Sequence, residues 1–411
     1  MPEPAAWKYE KITKKMFDTP APERLFYGRV IPCVGDTVIE DGFVHVKDGK
    51  IAAVGKRSAA PKPGANAETI DTNGKTLMPG MMNSHAHLSW DGIHELSWQS
   101  MYDKPEMRAY KAAGNMLKSL QAGITLVRDL GVHDANLFTK QAVEQGIFPG
   151  PRLLVSGESI IQTGGHTYWV CREASGTDEM RRAVREQVKR GADLIKIMAC
   201  HDTLEFTDEE LAAVIDEAHR NRLPITAHAT YDACIKRVAE FGVDCIEHGG
   251  SMSDETIQIL LDRKLPIVTT FSALVIQANP DIARAFGIPE WKIEERQCAV
   301  ADKSRFDGLV RAAKAGVPIV FGTDAGSPAV EHDRIVPELG FMVEVGVCPN
   351  NLDALRSITA RAAVLNRMGD KLGTLEAGKF ADLIVVDGKP DQDLAALENV
   401  VMTFIDGKRM H

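Results

Sequence analysis

Hydrophobic and polar residues alternate at both ends of the chain. This alternation flanks Asp48-Gly49 and predicts a hairpin between residues 42–47 and 50–55, because an Asp-Gly turn suits the twist of paired strands. Near the other end, residues 400–405 run into a similar turn at Asp406-Gly407. Neither end could bury a core alone. We therefore predict that both ends pair into one small β-sandwich domain.

The middle of the chain changes to apolar runs that alternate with segments at helical spacing, which is typical of βα units and a parallel sheet. A capping box at Thr207 and Glu210 predicts the start of one helix. Eight candidate strands cover residues 76–83, 124–129, 152–156, 193–198, 224–227, 244–247, 266–270 and 318–322. We predict an α/β protein with a (β/α)8 TIM barrel over residues 79–366, and a β-sandwich domain built from residues 1–78 and 367–411.

Composition and net charge indicate which kinds of molecule the protein binds. The chain has 411 residues, of which 44% are hydrophobic and 26% charged, as in soluble globular proteins. A net charge of -9 argues against a nucleic-acid or membrane partner. The seven cysteines are scattered and odd in number, which favours reduced thiols. We expect a cytoplasmic homo-oligomer that acts on a small molecule.

Side chains that bind metals fall at the predicted strand ends, where such barrels carry their catalytic groups. His85 and His87 end the first strand on the same side, because side-chain direction repeats every second residue. The other strands contribute Lys196, His228, His248 and Asp324. A single buried histidine is more often a hydrogen-bonded core residue. Six such groups at one rim predict a metal site.

These motifs resemble the amidohydrolase superfamily over nearly the whole chain. Within it they are similar to the metal-dependent dipeptidase branch, which includes prolidase-like and imidazolonepropionase-like members and relatives such as ochratoxin amidase. The resemblance is carried by Met78-Pro79-Gly80 ahead of His85 and His87, Thr163-Gly164-Gly165-His166, the segment 192–198 around Lys196, His228-Ala229 with Asp232, Ile246-Glu247-His248-Gly249 and Gly322-Thr323-Asp324.

The resemblance implies two divalent metal ions. The more buried ion would be held by His85, His87 and Asp324, and the more exposed one by His228 and His248. Lys196 would be carboxylated on its amine and bridge both ions. An anion at this position explains a lysine within an apolar run, because two cations compensate its charge. We expect zinc, although manganese or cobalt accept the same ligands.

The reaction implied is hydrolysis of an amide by a metal-bridging hydroxide. Asp324 would accept the nucleophile's proton and pass it to the leaving amine. His166 would donate to the carbonyl oxygen or to a substrate carboxylate, and Tyr231 would stabilise the oxyanion. We expect surface or structural roles for three further histidines, His133, His201 and His332.

The substrate is predicted to be a dipeptide or an N-acyl amino acid. The sequence departs from the dipeptidase pattern after Lys196, where Ala199-Cys200-His201-Asp202 replaces a glycine-rich turn, so ochratoxin-like xenobiotic amides stay open. Loops 89–105 and 271–305 are expected to shape the pocket. The alternatives are a cyclic-amide hydrolase, a mononuclear deaminase on the same fold, and a barrel that serves only as an interaction module.

Overall fold

The strands form two groups: a mostly antiparallel sheet from the two ends of the chain, and parallel sheets from its middle. The computed structural model describes residues 21–201 and 203–411. Its strands are β1 (Arg24–Val30), β2 (Ile39–Lys47), β3 (Lys50–Lys56), β4 (Glu68–Pro79), β5 (Met81–Ala86), β6 (Ile124–Asp129), β7 (Arg152–Val155), β8 (Ile160–Gln162), β9 (Arg172–Ala174), β10 (Ile195–Met198), β11 (Ile225–Ala229), β12 (Cys245–His248), β13 (Ile267–Thr269), β14 (Ile319–Phe321), β15 (Leu383–Val386), β16 (Val400–Ile405) and β17 (Lys408–Arg409).

Helices lie mainly between the strands of the middle region. They are α1 (Leu96–Tyr102), α2 (Pro105–Gln121), α3 (Ala135–Glu144), α4 (Thr177–Arg190), α5 (Asp208–Arg220), α6 (Asp232–Phe241), α7 (Asp254–Arg263), α8 (Phe271–Val275), α9 (Pro280–Ala285), α10 (Glu290–Ala301), α11 (Lys303–Ala315), α12 (Val336–Glu344), α13 (Asn351–Ile358) and α14 (Ala360–Leu365). Short 3-10 turns cover Arg57–Ala59 and Leu394–Glu398. Within the described ranges, no helix is both long and apolar enough to cross a membrane.

Strands from both ends of the chain join in one sheet, in the order β17-β16-β15-β4-β1-β2-β3. The ends meet where β15 pairs antiparallel with β4, with Leu383 opposite Pro79. Alternation gives this sheet two buried faces. Leu77 and Val385 pack in a core of its own, whereas Met78 and Ile384 pack in the main core. The predicted pairing of the two ends is thus confirmed, as a single hydrogen-bonded sheet.

The middle strands are parallel and form sheets of order β5-β6-β7 and β14-β13-β12-β11-β10-β8-β9. Each predicted strand of this region has an observed counterpart, but the first was placed wrongly. Residues 76–83 span the end of β4 and the start of β5, which are separated at Gly80. A Cβ there would lie 2.2 Å from the Thr125 hydroxyl oxygen, so only glycine fits. The three-residue strands β8 and β9 were not predicted.

Two contacts link the parallel sheets. The Asp193 amide donates to the Val155 carbonyl at 2.8 Å, which joins β7 to the segment before β10. A parallel bridge between Ala86 and Ala325 joins the end of β5 to the segment after β14. The second contact brings the carboxyl ends of two strands together, near the residues described next.

Local signals explain the helix boundaries. The predicted capping box opens α5, with the Thr207 side chain accepting from the Glu210 amide and the Glu210 side chain accepting from the Thr207 amide. The long segment after β13, predicted as a loop, is instead largely helical and contains α8 to α11. The domain boundaries proposed from the sequence stay predictions.

Candidate metal centre and active site

The first pair of candidate ligands lies at the end of β5. The Nδ1 atom of His85 lies 2.7 Å from a carboxylate oxygen of Glu247, and Nδ1 of His87 donates to the Gly131 carbonyl at 2.6 Å. Because both partners accept hydrogen bonds, each ring carries a proton on Nδ1 and turns Nε2 toward the centre. Metal-binding histidines are typically oriented by such an acceptor on the other nitrogen.

Asp324 faces both of these Nε2 atoms. Its Oδ1 lies 3.4 Å from Nε2 of His85 and 3.1 Å from Nε2 of His87. Burial opposes the charged carboxylate, but the hydrogen bonds and charges of the two histidines outweigh it and hold the pKa of Asp324 well below its usual range. The residue also has a φ of 58°, a left-handed conformation that is costly outside glycine. The backbone is therefore held in an uncommon shape that places this anion.

His228 and His248 bring two more imidazoles to the same place. Their ring centroids are 4.4 Å apart, and the His248 ring is 4.8 Å from that of His85. Nδ1 of His248 lies 2.6 Å from the Thr270 hydroxyl. Among the described residues, the buried Nε2 of His228 has no hydrogen-bond partner. Burial, followed by neighbouring cationic groups, lowers the pKa of both histidines well below the usual value, so both are neutral, as metal binding requires.

Lys196 lies within β10 and is only 2% exposed. Burial lowers the pKa of its amine, while the charges of Glu247 and Asp324 act in the opposite direction. Its own charge contributes to the lowered pKa of His228 and His248, which places it beside the imidazoles. A neutral amine is the form that can react with carbon dioxide. The environment is thus compatible with the predicted carboxylation.

Glu247 has a role that the sequence did not reveal. It is fully buried, and Nη2 of Arg128 lies 2.5 Å from Oε1 while the other carboxylate oxygen meets His85. Thr226 also donates to it. Burial disfavours the carboxylate, but Arg128 and His85 keep its pKa below the usual range. A glutamate within an apolar strand signals a hidden cationic partner, although sequence alone did not identify Arg128.

Two more predicted residues lie around this cluster. His166 presents its ring 5.3 Å from that of His228, and its Nδ1 lies 2.7 Å from a carboxylate oxygen of Glu205. Tyr231 directly precedes α6 and packs against the main core. Burial, together with Cys200, raises the pKa of the Tyr231 phenol to about 12. The catalytic roles predicted for both residues stay predictions.

The remaining histidines separate into two kinds. The exposed His201 stacks on His166 with centroids 4.5 Å apart, and ring nitrogens of these two and of His228 lie within 4.8 Å of one another. His201 therefore lies in the histidine cluster with His166 and His228, whereas the sequence predicted only a surface or structural role. His133 bonds to the Ser100 carbonyl at 3.0 Å, and His332 to the Trp90 carbonyl at 3.1 Å. These two bonds support the structural role.

The donor set fits divalent metal ions. Ligand atoms of His85, His87 and Asp324 all lie within 4.8 Å of one another. Nε2 of His87 and Oδ1 of Asp324 lie 3.1 Å apart, so a cation between them could bind both atoms. The unpartnered Nε2 of His228 offers a further neutral donor. Imidazole and carboxylate together suit zinc and similar ions.

The chain is similar over most of its length to proteins of known structure or activity. Ochratoxinase of Aspergillus niger is 28% identical over 413 aligned residues, covering 91% of this chain and 83% of the relative. A crystal structure described as a Xaa-Pro dipeptidase with bound methionine in the active site is 28% identical, with a TM-score of 0.85, and covers 94% of this chain and 99% of the other. A prolidase complexed with N-methylphosphonate-L-proline has the same identity, coverage and TM-score.

The family profile described as "Amidohydrolase family" matches residues 76–410, which is most of the chain. This stretch runs from the end of β4, through every strand of the middle region, to the last residues of the terminal sheet. It includes all of the histidines, the lysine and the aspartate described above. The chain therefore belongs to the amidohydrolase family and is a hydrolase.

Proposed function

We propose that this hydrolase is a binuclear metal-dependent amidohydrolase that cleaves the amide bond of a dipeptide or an N-acyl amino acid, including ochratoxin-like xenobiotic amides. The observation that carries the proposal is the convergence of His85, His87 and Asp324, whose ligand atoms lie within 4.8 Å of one another. The names of the relatives, ochratoxinase and Xaa-Pro dipeptidase, support an amide next to an amino acid as the substrate.

The residues present would hold two ions, which we expect to be zinc. One would be bound by His85, His87 and Asp324, the other by His228 and His248, and both by Lys196 once carboxylated. Bound ions of this kind lower the pKa of water toward about 7 and polarise a carbonyl group. His228 and His248 are neutral, which supports this assignment, because a protonated imidazole could not bind a metal ion.

The protein's own groups would handle the proton and the substrate. Asp324 would take the proton of the attacking water and deliver it to the leaving amine. It is ionised and contacts both His85 and His87. His166, whose Nδ1 lies 2.7 Å from a Glu205 carboxylate oxygen, would donate to the carbonyl oxygen or to a carboxylate of the substrate from Nε2 when both ring nitrogens carry a proton. Tyr231 would supply a further donor to the oxyanion.

We also propose that the parallel strands close into the eight-stranded barrel predicted from the sequence. The bridge between Ala86 and Ala325 supports this closure. In this proposal the β-sandwich domain comprises residues 1–78 and 367–411, and the barrel residues 79–366; residues 1–20 lie outside the described part of the chain. A cytoplasmic location and a homo-oligomeric state complete the proposal, and gel filtration with light scattering tests the latter.

Metal analysis of the purified, metal-loaded protein separates the candidate functions. Close to two ions per chain supports the binuclear amidohydrolase, one ion supports a mononuclear deaminase, and none supports an interaction module. The same protein is then assayed against dipeptides, N-acyl amino acids and cyclic amides. Hydrolysis of the linear amides is expected. Activity confined to ring opening would replace the proposal with a cyclic-amide hydrolase.

A further inference from the structure

A cavity of about 860 Å3 lies at the amino ends of the parallel strands, away from the candidate metal ligands at their carboxyl ends. A volume of this size is typical of sites that enclose a small molecule. The lining includes Cys245 and Val320, which are buried between the strands, and Leu365 and Asn366 at the end of α14. The cavity is therefore large enough for a ligand of its own.

Much of the cavity lining is apolar and offers no hydrogen bonds to a ligand. Prolines directly precede β11, β13 and β14, and these three residues, Pro224, Pro266 and Pro318, line the cavity. Proline has no amide proton, and the carbonyl of each one already accepts from a neighbouring strand, at 2.8 to 3.0 Å. On α14, Val364 lines the cavity and is 70% exposed. An apolar group of a ligand would cover this surface.

Three cationic side chains lie around the start of β12, the strand between β11 and β13. Arg222 comes shortly before β11 and Lys264 shortly before β13, and both line the cavity. Arg367 also lines it, and its Nη2 atom lies 3.4 Å from Asp244, the residue before β12. We refer to Arg222, Lys264 and Arg367 as the basic cluster.

The basic cluster carries more positive charge than the nearby carboxylates neutralise. Two carboxylates line the cavity. Asp193 is paired with Lys140 at 2.5 Å, and Asp244 is paired with Arg367. The other two cations of the cluster have no carboxylate within ion-pair distance in the described ranges. This side of the cavity therefore attracts an anion rather than a cation.

Two cations of the cluster occupy backbone positions where glycine is favoured. Arg222 has a φ of 62° and Lys264 a φ of 54°, both left-handed. The corresponding turns after α4, α6 and α11 use Gly191, Gly242 and Gly316. A helix dipole favours a cation at every one of these turns, so it does not explain why only two carry one. Arg222 and Lys264 line the cavity, whereas Gly191 and Gly242 do not, so the chain keeps these cations beside the cavity at a conformational cost.

A buried amide next to the basic cluster lacks hydrogen-bond partners. Asn366 lines the cavity, directly precedes Arg367 and is only 8% exposed. Neither its Oδ1 atom nor its Nδ2 atom is bonded to any residue in the described part of the chain. A buried amide without partners is uncommon and costly, and a bound group that accepts from it would remove the cost.

We propose that this cavity binds an amphipathic anion, a small molecule with one carboxylate or sulfonate group on an apolar body. The anionic group lies between Arg222 and Lys264 and accepts from Nδ2 of Asn366. The apolar body covers Val364 and extends toward Val320. This site is separate from the proposed function, because it takes part in no step of amide hydrolysis.

Two fluorescent probes test the site on the intact, metal-loaded protein. 8-Anilinonaphthalene-1-sulfonate and N-phenyl-1-naphthylamine have the same apolar body, only the first is anionic, and both fluoresce more strongly in apolar surroundings. We expect one molecule of the sulfonate per chain, bound about 10 times more tightly than the uncharged probe, as for a charge-assisted hydrogen bond. Equal affinities in the wild-type protein would overturn the proposal. Neither probe is hydrolysed, so the result is independent of whether amides are substrates.

Removal of the cations shows whether the basic cluster holds the anion. Arg222→Met and Lys264→Met keep the length of the side chain at exposed positions, so both variants should fold. Each should bind the sulfonate about 10-fold more weakly and the uncharged probe as before. The control is Lys314→Met, which removes an exposed cation at the same end of the molecule that does not line the cavity, and it should match wild type. Equal binding of the sulfonate by all three variants would refute the site.

The apolar lining is tested by Val364→Asp. A carboxylate at this exposed position should weaken the binding of both probes, with a loss of at least about 10-fold for the sulfonate, because it adds a like charge and removes apolar contact. Phe138→Asp, at a similarly exposed position on α3 outside the cavity, is the control and should change neither affinity. Wild-type affinities in Val364→Asp would place the probes elsewhere and overturn the proposal.

Asn366→Leu tests the unpartnered amide. Leucine has a similar size and needs no hydrogen bonds, so the probe-free variant should unfold at a higher temperature than wild type. It should bind the sulfonate more weakly and the uncharged probe at least as well. Unchanged binding of the sulfonate would exclude the amide from the site.

Discussion

The two ends of the parallel strands are built differently. At the amino ends, carboxylates join neighbouring strands by accepting hydrogen bonds from backbone amides. Asp193 accepts from the Val155 amide at 2.9 Å and pairs with Lys140 at 2.5 Å, and Asp244 accepts from the Ile225 amide at 2.8 Å. At the carboxyl ends, the Nε2 atom of His228 is buried without a partner in the described part of the chain. One end thus uses these carboxylates within the fold, and the other keeps a buried imidazole nitrogen that can bind a ligand.

The cavity of known volume near the strand ends does not mark the candidate site. A cavity of about 860 Å3 lies at the amino ends, among residues that precede strands, such as Asp193, Pro224 and Pro266. Its carboxylates already accept hydrogen bonds from backbone amides. The polar groups at the carboxyl ends, rather than an open volume, therefore mark the candidate site. This division agrees with the general rule that such folds perform chemistry at the carboxyl ends of their strands.

The substitution Asp324→Asn is the strongest test of whether the chemistry takes place at the carboxyl ends of the strands. The amide keeps the size of the side chain but neither carries the negative charge nor accepts a proton, so we expect kcat/KM for amide hydrolysis to fall by about 10² to 10⁴-fold. Thermal unfolding should change little, since the residue serves the site rather than the core. Retention of more than a tenth of the activity would show that the site lies elsewhere.

Replacement of Lys196 tests the bridge between the two proposed ions. Methionine has a similar length and suits the apolar surroundings of β10, so Lys196→Met should fold. We expect loss of on the order of 10²-fold in kcat/KM, because metal ions contribute several kcal/mol of transition-state stabilisation. Metal content, measured by mass spectrometry, should fall below that of wild type. Full metal content with full activity would exclude a bridging role.

Glu247→Gln tests the buried connection between Arg128 and His85. It leaves the arginine charge unpaired, which costs about 3 to 5 kcal/mol of unfolding free energy. The amide also leaves one acceptor oxygen for three donors, Arg128, Thr226 and His85, so His85 is oriented less firmly and metal affinity should fall about 10 to 100-fold. Urea unfolding and metal titration measure the two effects. A loss of stability with unchanged metal affinity would make Glu247 a purely structural residue.

His332 sharpens the comparison, because it is a histidine near the same rim whose hydrogen bond is made within the fold. Burial lowers its pKa to about 4, from 6.5. Between these values the unfolded chain binds the proton and the folded chain does not, so stability should fall by roughly 1 kcal/mol per unit as the pH drops from 6.5 to 4. His332→Gln keeps a donor for the Trp90 carbonyl and should show a shallower pH dependence in urea unfolding. His228 and His248 titrate alike in both proteins, so parallel curves would refute the assignment.

How far the sequence predicts this molecule depends on the range of the contact. His85, His87, His228 and His248 could be placed at one rim because each follows from its own strand and the polarity of a parallel sheet. The ion pair of Glu247 with Arg128 joins residues 119 positions apart, and no local pattern encodes which strands face each other across the interior.

Short and irregular segments were the second part of the structure that the sequence did not predict. The strands Ile160–Gln162 and Arg172–Ala174 have three residues each, too few for a period of two to be recognised. His201 follows β10 in a turn, where alternation no longer fixes the direction of a side chain, so its stacking on His166 could not be foreseen.

The smallest effect is expected at the amino ends, from Asp244→Ala. This change removes the acceptor of the Ile225 amide and the partner of His219, 3.0 Å away. Because Asp244 is partly exposed, water can replace some of these bonds, and we expect a loss of about 1 kcal/mol in unfolding free energy. The variant His219→Ala isolates the contribution of the ion pair. Since Asp244 lies at the opposite end of the strands from Asp324, kcat and KM should stay at wild-type values. A tenfold loss of activity at unchanged stability would mean that the two ends are coupled, and that chemistry is not confined to one of them.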